Sequence, residues 1–124
     1  MSLLLDTHAL LWWMRGEPID PEVMHRISDP DVRVVVSAAS VWEVAIKRAL
    51  GKLRFERSMI EAIETSGFES LSISSLHAER AGDLPLHHRD PFDRMLIAQA
   101  QVESLMLVTR DAQLSAYDVQ LLAC

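Results

Sequence analysis

Four acids in this chain stand where carboxylates can do chemistry. Asp6 directly follows the apolar run 2–5. Glu43 lies in the first turns of a helical segment that follows the β-branched run Val32–Val36. Asp93 sits just after Asp90-Pro91, where an apolar helical segment opens, and Asp111 lies two residues beyond Thr109 at the end of another apolar run. In a parallel sheet the strand ends and the starts of the following helices share one edge, so acids far apart in sequence can converge there. A cluster of carboxylate oxygens is the preferred environment of Mg²⁺ or Mn²⁺. Two carboxylates about 4 Å apart repel by roughly 4 kcal/mol at an effective dielectric near 20, and a divalent cation reverses the sign of that interaction.

Each acid also has a plain structural reading. Asp6 can cap a helix or serve a turn. Glu43 can be the partner of Ser40 in a capping box, Ser40-Val41-Trp42-Glu43. Asp93 can be the first-turn acid of the helix that Asp90 caps, and Asp111 can cap the turn that follows it. A sheet edge is where helix N-termini gather, and helix N-termini attract acids, so the two readings overlap. The histidines point less clearly to a site. His87 and His88 are adjacent and should face different ways, no third His or Cys stands at ligand spacing, and His8 reads as packed on the first helix. Trp12, Trp13 and Trp42 read as core or interface rather than as platforms for bases. Ser37 and Ser40 show no triad partners.

The elements that must hold these residues follow from pattern. Residues 2–5 suit a buried central strand. Thr7–Met14 reads as a helix closed by Gly16 and Pro18, and Asp20-Pro21 opens a helix of about eight residues. Val32–Val36 is a second strand. Ser37–Ser40 leads into a helix over Val41–Leu50, stopped by Gly51. A helix over 57–66, a weak strand over Glu69–Ser74 and a helix from Ser75 to about Asp83 come next. Leu84–Arg89 is a loop. Asp90 caps a helix to about Glu103, Leu105–Thr109 is a strand, 112–116 makes one helical turn, and Val119–Leu122 is an edge strand. Strands alternating with helices imply a mostly parallel sheet of four to five strands with helices on both faces.

Length and charge narrow the function. A chain of 124 residues, 49% hydrophobic, is one domain with a real core. It has no apolar run long enough to span a membrane and no signal-peptide pattern, so a cytoplasmic protein is expected. The single cysteine, Cys124, cannot form an internal disulfide. A formal charge of −6 argues against holding nucleic acid by bulk electrostatics, although a bound cation changes the field locally. Five of the basic residues, Lys47, Arg48, Lys52, Arg54 and Arg57, fall within residues 47–57. They form either a solvated helix end or a track for a phosphate backbone.

The same residues carry a family resemblance. Leu3-Leu4-Leu5-Asp6-Thr7-His8-Ala9-Leu10-Leu11-Trp12-Trp13 resembles the opening of PIN-domain proteins. Ser37–Lys47, His88–Ala100, Leu107–Asp111 and Tyr117–Val119 resemble their later motifs, in order and with fitting spacing. Within the family the chain is similar to VapC-type toxin ribonucleases of toxin–antitoxin pairs. The resemblance implies a three-layer α/β/α sandwich and a Mg²⁺- or Mn²⁺-dependent endoribonuclease that hydrolyses RNA, leaving a 5′-phosphate and a 3′-hydroxyl. It implies a VapB-like antitoxin as partner and a homodimer. The ligating and catalytic acids it implies are Asp6, Glu43, Asp93 and Asp111, supported by Asp90, Thr7 and Thr109. Lys47, Arg48, Lys52, Arg54, Arg94 and Arg110 are the candidates to meet RNA, the last two also as neutralisers of phosphate charge. Two rivals stand beside this reading. One is aspartyl phosphotransfer through Asp6, as in haloacid-dehalogenase-like enzymes, which want a second Asp where this chain has His8. The other is an inactive binding module that keeps the fold and dimerises.

Overall fold

The computed structural model describes residues 2–124. Five strands, β1 (Leu3–Leu5), β2 (Val34–Ser37), β3 (Glu69–Leu71), β4 (Met106–Thr109) and β5 (Leu121–Ala123), form one sheet in the order β3-β2-β1-β4-β5. Every pairing is parallel, with Leu4 opposite both Val35 and Leu107. Six helices join them: α1 (Thr7–Arg15), α2 (Pro21–Ser28), α3 (Ala38–Ala49), α4 (Met59–Thr65), α5 (Ser75–Asp83) and α6 (Pro91–Glu103). A 3₁₀ turn, Ala112–Ala116, separates β4 from β5.

Period two in the strands sorts the core into two layers. Leu3, Leu5, Val34, Val36 and Val108 face one way and pack with Leu10, Val44 and Ile63 of α1, α3 and α4. Leu4, Val35 and Leu107 face the other way and pack with Leu96 and Ile97 of α6 and with Leu114 and Tyr117. The central strands are therefore buried on both faces, and their near-continuous apolar sequence follows from that. The result is the three-layer α/β/α sandwich. Among the described residues no helix is long and apolar enough to cross a membrane.

The element boundaries differ from the sequence pattern for local reasons. β2 begins at Val34 because the Val32 N–H closes a turn onto the Asp29 carbonyl at 3.1 Å. β3 stops at Leu71 because the Ser72 carbonyl accepts from Gln99 and Ser74 caps α5. β5 runs 121–123, since the Val119 N–H turns back to the Tyr117 carbonyl at 2.9 Å. α3 opens at Ala38 because Ser37 is its N-cap, accepting from the Ala39 N–H. Ser40 lies inside the helix and accepts from the Thr7 hydroxyl at 3.0 Å. The Ser40–Glu43 capping box does not form. Trp42 is corrected as a core candidate: it is 61% exposed, edge-on to Phe92 at 5.4 Å. Trp13 packs against Phe68 and the core.

Candidate active site

The site lies at the C-terminal edge of the two middle strands. Asp6 directly follows β1 and Asp111 lies two residues past the end of β4, while α6 starts beside them with Asp93 in its first turn. A cavity of about 320 Å³ is lined by Asp6, His8, Trp12, Asp93, Arg110 and Asp111. Three of the four acids read from the sequence therefore share one wall.

Capping and gathering turn out to be one geometry. Asp6 caps α1, its Oδ1 accepting from the Ala9 N–H at 2.7 Å. Asp111 caps the 3₁₀ turn, its Oδ1 accepting from the Gln113 N–H at 2.9 Å. Asp90 caps α6 by accepting from the Phe92 and Asp93 N–H groups, at 2.8 and 3.2 Å, and so fixes where Asp93 stands. Each capping carboxylate has a second oxygen to offer. Thr109 accepts from the Asp111 N–H at 3.0 Å and donates to Asp6. Thr7 ties the start of α1 to α3 through Ser40.

The electrostatics show a surplus of negative charge. Burial pushes the Asp6 carboxyl above its ordinary value, opposed by the hydrogen bonds from Thr109 and Ala9, with a further rise from repulsion by Glu43. Asp93 is pushed up to about 6, first by burial and then by the neighbouring Asp90, with Asp6 and Glu43 adding to the rise and His88 opposing it. A half-buried carboxyl whose proton affinity is raised inside a cavity fits the pattern of a functional site.

Glu43 stands apart. It is buried, and its Oε2 is 2.9 Å from Lys47 Nζ. It lends charge to Asp6 and Asp93 without lining the cavity. That pair also engages Lys47. Arg48 donates to the Arg57 carbonyl and lies 5.7 Å from the Phe55 ring centroid, while Lys52, Arg54 and Arg57 are exposed.

Arg94, a candidate phosphate contact by sequence, is taken up by the protein's own backbone. Its guanidinium is wrapped in backbone carbonyls, with Ala81 at 2.8 Å, Leu84 and Pro85 at 3.0 Å each, and His88 at 3.4 Å. It is the anchor of the loop before α6. Arg110 is different. It lines the cavity with its guanidinium carbon 3.8 Å from the Trp12 ring centroid, and Pro18 is its backbone partner, at 2.7 Å. His8 is exposed at the lip, its ring 5.9 Å from that of Trp12.

The residue the sequence reading passed over is His88. His87 and His88 do face different ways. His87 stacks edge-on against Tyr117 at 5.0 Å. His88 turns inward, its Nε2 lying 3.3 Å from Asp111 Oδ2 and 3.5 Å from Asp93 Oδ2. Among the described residues, His88, Asp93 and Asp111 are the group whose ligand atoms all lie within 4.8 Å of one another.

The architecture and the site define an α/β fold with an acidic pocket at a parallel-sheet edge. The PIN domain matches residues 3–120, and the chain belongs to that family. No curated protein matches it. Solved structures share the fold. VapBC from Salmonella typhimurium bound to DNA aligns over 99% of this chain and 98% of that one, at 16% identity and a TM-score of 0.74. VapBC-1 from nontypeable Haemophilus influenzae aligns over 99% and 98%, at 24% identity and a TM-score of 0.69. FitAcB from Neisseria gonorrhoeae aligns over 97% and 96%, at 22% identity and a TM-score of 0.67.

Proposed function

We propose that this protein is a divalent-cation-dependent endoribonuclease, the toxin of a toxin–antitoxin pair. The observation that carries the reading is the cavity into which Asp6, Asp93 and Asp111 converge from three separate elements. The donor set fits the cation that PIN nucleases use. It is made of hard carboxylate oxygens suited to Mg²⁺ or Mn²⁺, and the proton affinities of Asp6 and Asp93, raised first by burial and then by neighbouring carboxylates, reflect a cost of negative charge that a cation relieves. Asp6, Asp93 and Asp111 would hold it, with Glu43 adding charge from behind. A divalent cation held there supplies Lewis acidity toward a phosphodiester and lowers the pKa of water.

The chain's own residues do the rest. Asp90 and Thr109 hold Asp93, Asp111 and Asp6 in place by the hydrogen bonds given above. Arg110, its guanidinium over the Trp12 ring, is a cation of the cavity wall with donors to offer phosphate oxygen, and a guanidinium held against a ring loses less entropy on contact. Arg94 takes no part. The exposed residues Lys52, Arg54 and Arg57 lie on the α3 side and can follow an RNA backbone.

The antitoxin follows from a second feature. An apolar groove of about 430 Å³ lies between α3, α4 and β3, lined by Val41, Trp42, Ala45, Ile60 and Leu71 among others. Trp42 joins it to the start of α6 through Phe92. A small protein laid in this groove would lie alongside the acidic cavity. The toxin–antitoxin structures that share the fold support this partner, and a homodimer is part of the same reading.

The test is cleavage of single-stranded RNA by purified protein with Mn²⁺. Cleavage leaving 5′-phosphate ends, lost by at least about 100-fold in a folded Asp93→Asn variant, is expected. Wild-type rates in that folded variant overturn the reading.

A further inference from the structure

We propose that His88 is a positioning residue, a fixed Nε2–H donor that bridges Asp93 and Asp111, and not a ligand of the cation. This rests on the functional reading above for its consequence, but its geometry stands alone. Nδ1 of His88 lies 3.1 Å from the backbone nitrogen of Asp90. A backbone N–H can only donate, so Nδ1 must accept there, and the proton of the neutral ring sits on Nε2. An imidazolium carries a proton on Nε2 as well. In either form the atom that faces the acids is a donor with no lone pair for a cation. Its two neighbours are carboxylate oxygens: Asp111 Oδ2, hydrogen-bonded at 3.3 Å, and Asp93 Oδ2, at an ion-pair distance of 3.5 Å. A carboxylate oxygen has lone pairs for both a donor and a cation, so the bridge orients the two acids without using them up.

The rest of the loop is built to keep the ring in place. The N–H groups of His87 and His88 both donate to the Tyr117 hydroxyl, at 3.1 and 2.9 Å. That hydroxyl donates to the Pro85 carbonyl at 2.8 Å. Arg94 grips the His88 carbonyl. Asp90 thus serves twice: its backbone fixes the His88 tautomer, and its side chain fixes the start of α6 and with it Asp93.

The consequence is selectivity by omission. With the ring nitrogen excluded, the donor set contains oxygen alone. A nitrogen ligand would raise the affinity for Co²⁺ far more than for Mg²⁺. A positioning donor supports every cation alike, and loss of such a partner costs roughly 10–100-fold in affinity.

Two measurements decide it. In the first, long-range ¹H–¹⁵N spectra of the cation-free wild-type protein report the His88 tautomer. A pyridine-like Nδ1 with a protonated Nε2 is expected, and the opposite tautomer overturns the proposal. In the second, Mg²⁺, Mn²⁺ and Co²⁺ are titrated calorimetrically into wild type, His88→Ala and His88→Gln. The expected result is an equal loss of affinity for all three ions in His88→Ala, with recovery in His88→Gln, whose amide N–H reaches as Nε2 does. A loss concentrated on Co²⁺, with no recovery in His88→Gln, overturns it. Should wild type bind none of the ions, the nuclease reading fails, and the tautomer alone decides the role of His88.

Discussion

Asp93 carries the sharpest conflict in the molecule, and its consequences can be read with pH. Its folded-state pKa of about 6 stands above the ordinary 3.8. Between those values the folded chain keeps a proton that the unfolded chain has released. The cation-free protein therefore loses stability as pH rises from about 4 to about 6, and the loss is complete above that. The cost is on the order of 1–2 kcal/mol once screening by solvent is allowed for. Asp93→Asn removes it: the variant should melt above wild type at pH 7 and level with it near pH 4, in cation-free buffer by calorimetry. Wild type and variant melting alike at both values would refute the burial argument. At this scale the convergence of Asp6, Asp93 and Asp111 was legible in the sequence because each follows an apolar run or a proline-marked helix start, whereas the position of Glu43 behind the cavity, paired with Lys47, was not. His88 was not, because adjacent histidines in a loop give no direction. Its inward turn comes from Tyr117 and Asp90, one distant in sequence and one acting through its backbone.

The elements place the site by how they begin. Ser37, Asp6, Asp90 and Asp111 each cap a helix or turn at the same sheet edge. Two of the three wall acids, Asp6 and Asp111, are caps themselves, and the third, Asp93, is placed by the Asp90 cap. Sequence pattern found the Asp90-Pro91 and Asp20-Pro21 starts because proline at the first helical position marks them. It misplaced the start of α3, where Ser37 and Ser40 are equally good caps by type. The choice is tertiary: Ser40 is needed inward as the acceptor for Thr7. Arg94 is the counterpart case, legible as a charge but not as an anchor, because its partners are carbonyls of residues 81–88. Truncation by Arg94→Ala leaves those carbonyls without their donor and should lower stability by about 2–3 kcal/mol. It should also speed proteolysis within 84–90 and weaken cation binding through His88. A variant with unchanged melting temperature and unchanged cleavage in that loop would contradict the assigned role. A smaller test lies at the end of α6, where Ser104 holds φ 56° as the C-cap. Ser104→Gly should add about 0.5–1 kcal/mol in chemical denaturation, and a loss of stability would show that its side chain does more than tolerate that conformation.

The molecule as a whole turns a parallel sheet into an assembly of remote residues. β1 lies between β2 and β4, so the residues that follow it and β4 meet at one edge even though Asp6 and Asp111 stand at opposite ends of the sequence. That fold class was readable from the order of apolar runs, because strands buried on both faces must be apolar throughout. The parallel direction of the strands was readable too, but their residue-by-residue register and their order were not, since these depend on which side chains interlock across the two core layers. Net charge acts at this scale too. At −6 the chain repels polyanions at a distance, so in the proposed nuclease a cation at the acidic edge would be what brings a phosphodiester close. Neutralising Arg110 by Arg110→Gln should raise KM for RNA several-fold while leaving Mn²⁺ affinity near wild type. A parallel fall in Mn²⁺ affinity would mean that Arg110 acts on the acids rather than on the substrate.

The most direct measurement is calorimetric titration of Mn²⁺ into the wild-type protein and into folded Asp6→Asn and Asp93→Asn variants at pH 7. Saturable binding in wild type, with a rise in stability of about 2.7 kcal/mol at one hundred times Kd, and loss of both in either variant is the predicted result. Absence of saturable binding in wild type, or equal binding in the variants, would contradict a cation site formed by Asp6 and Asp93.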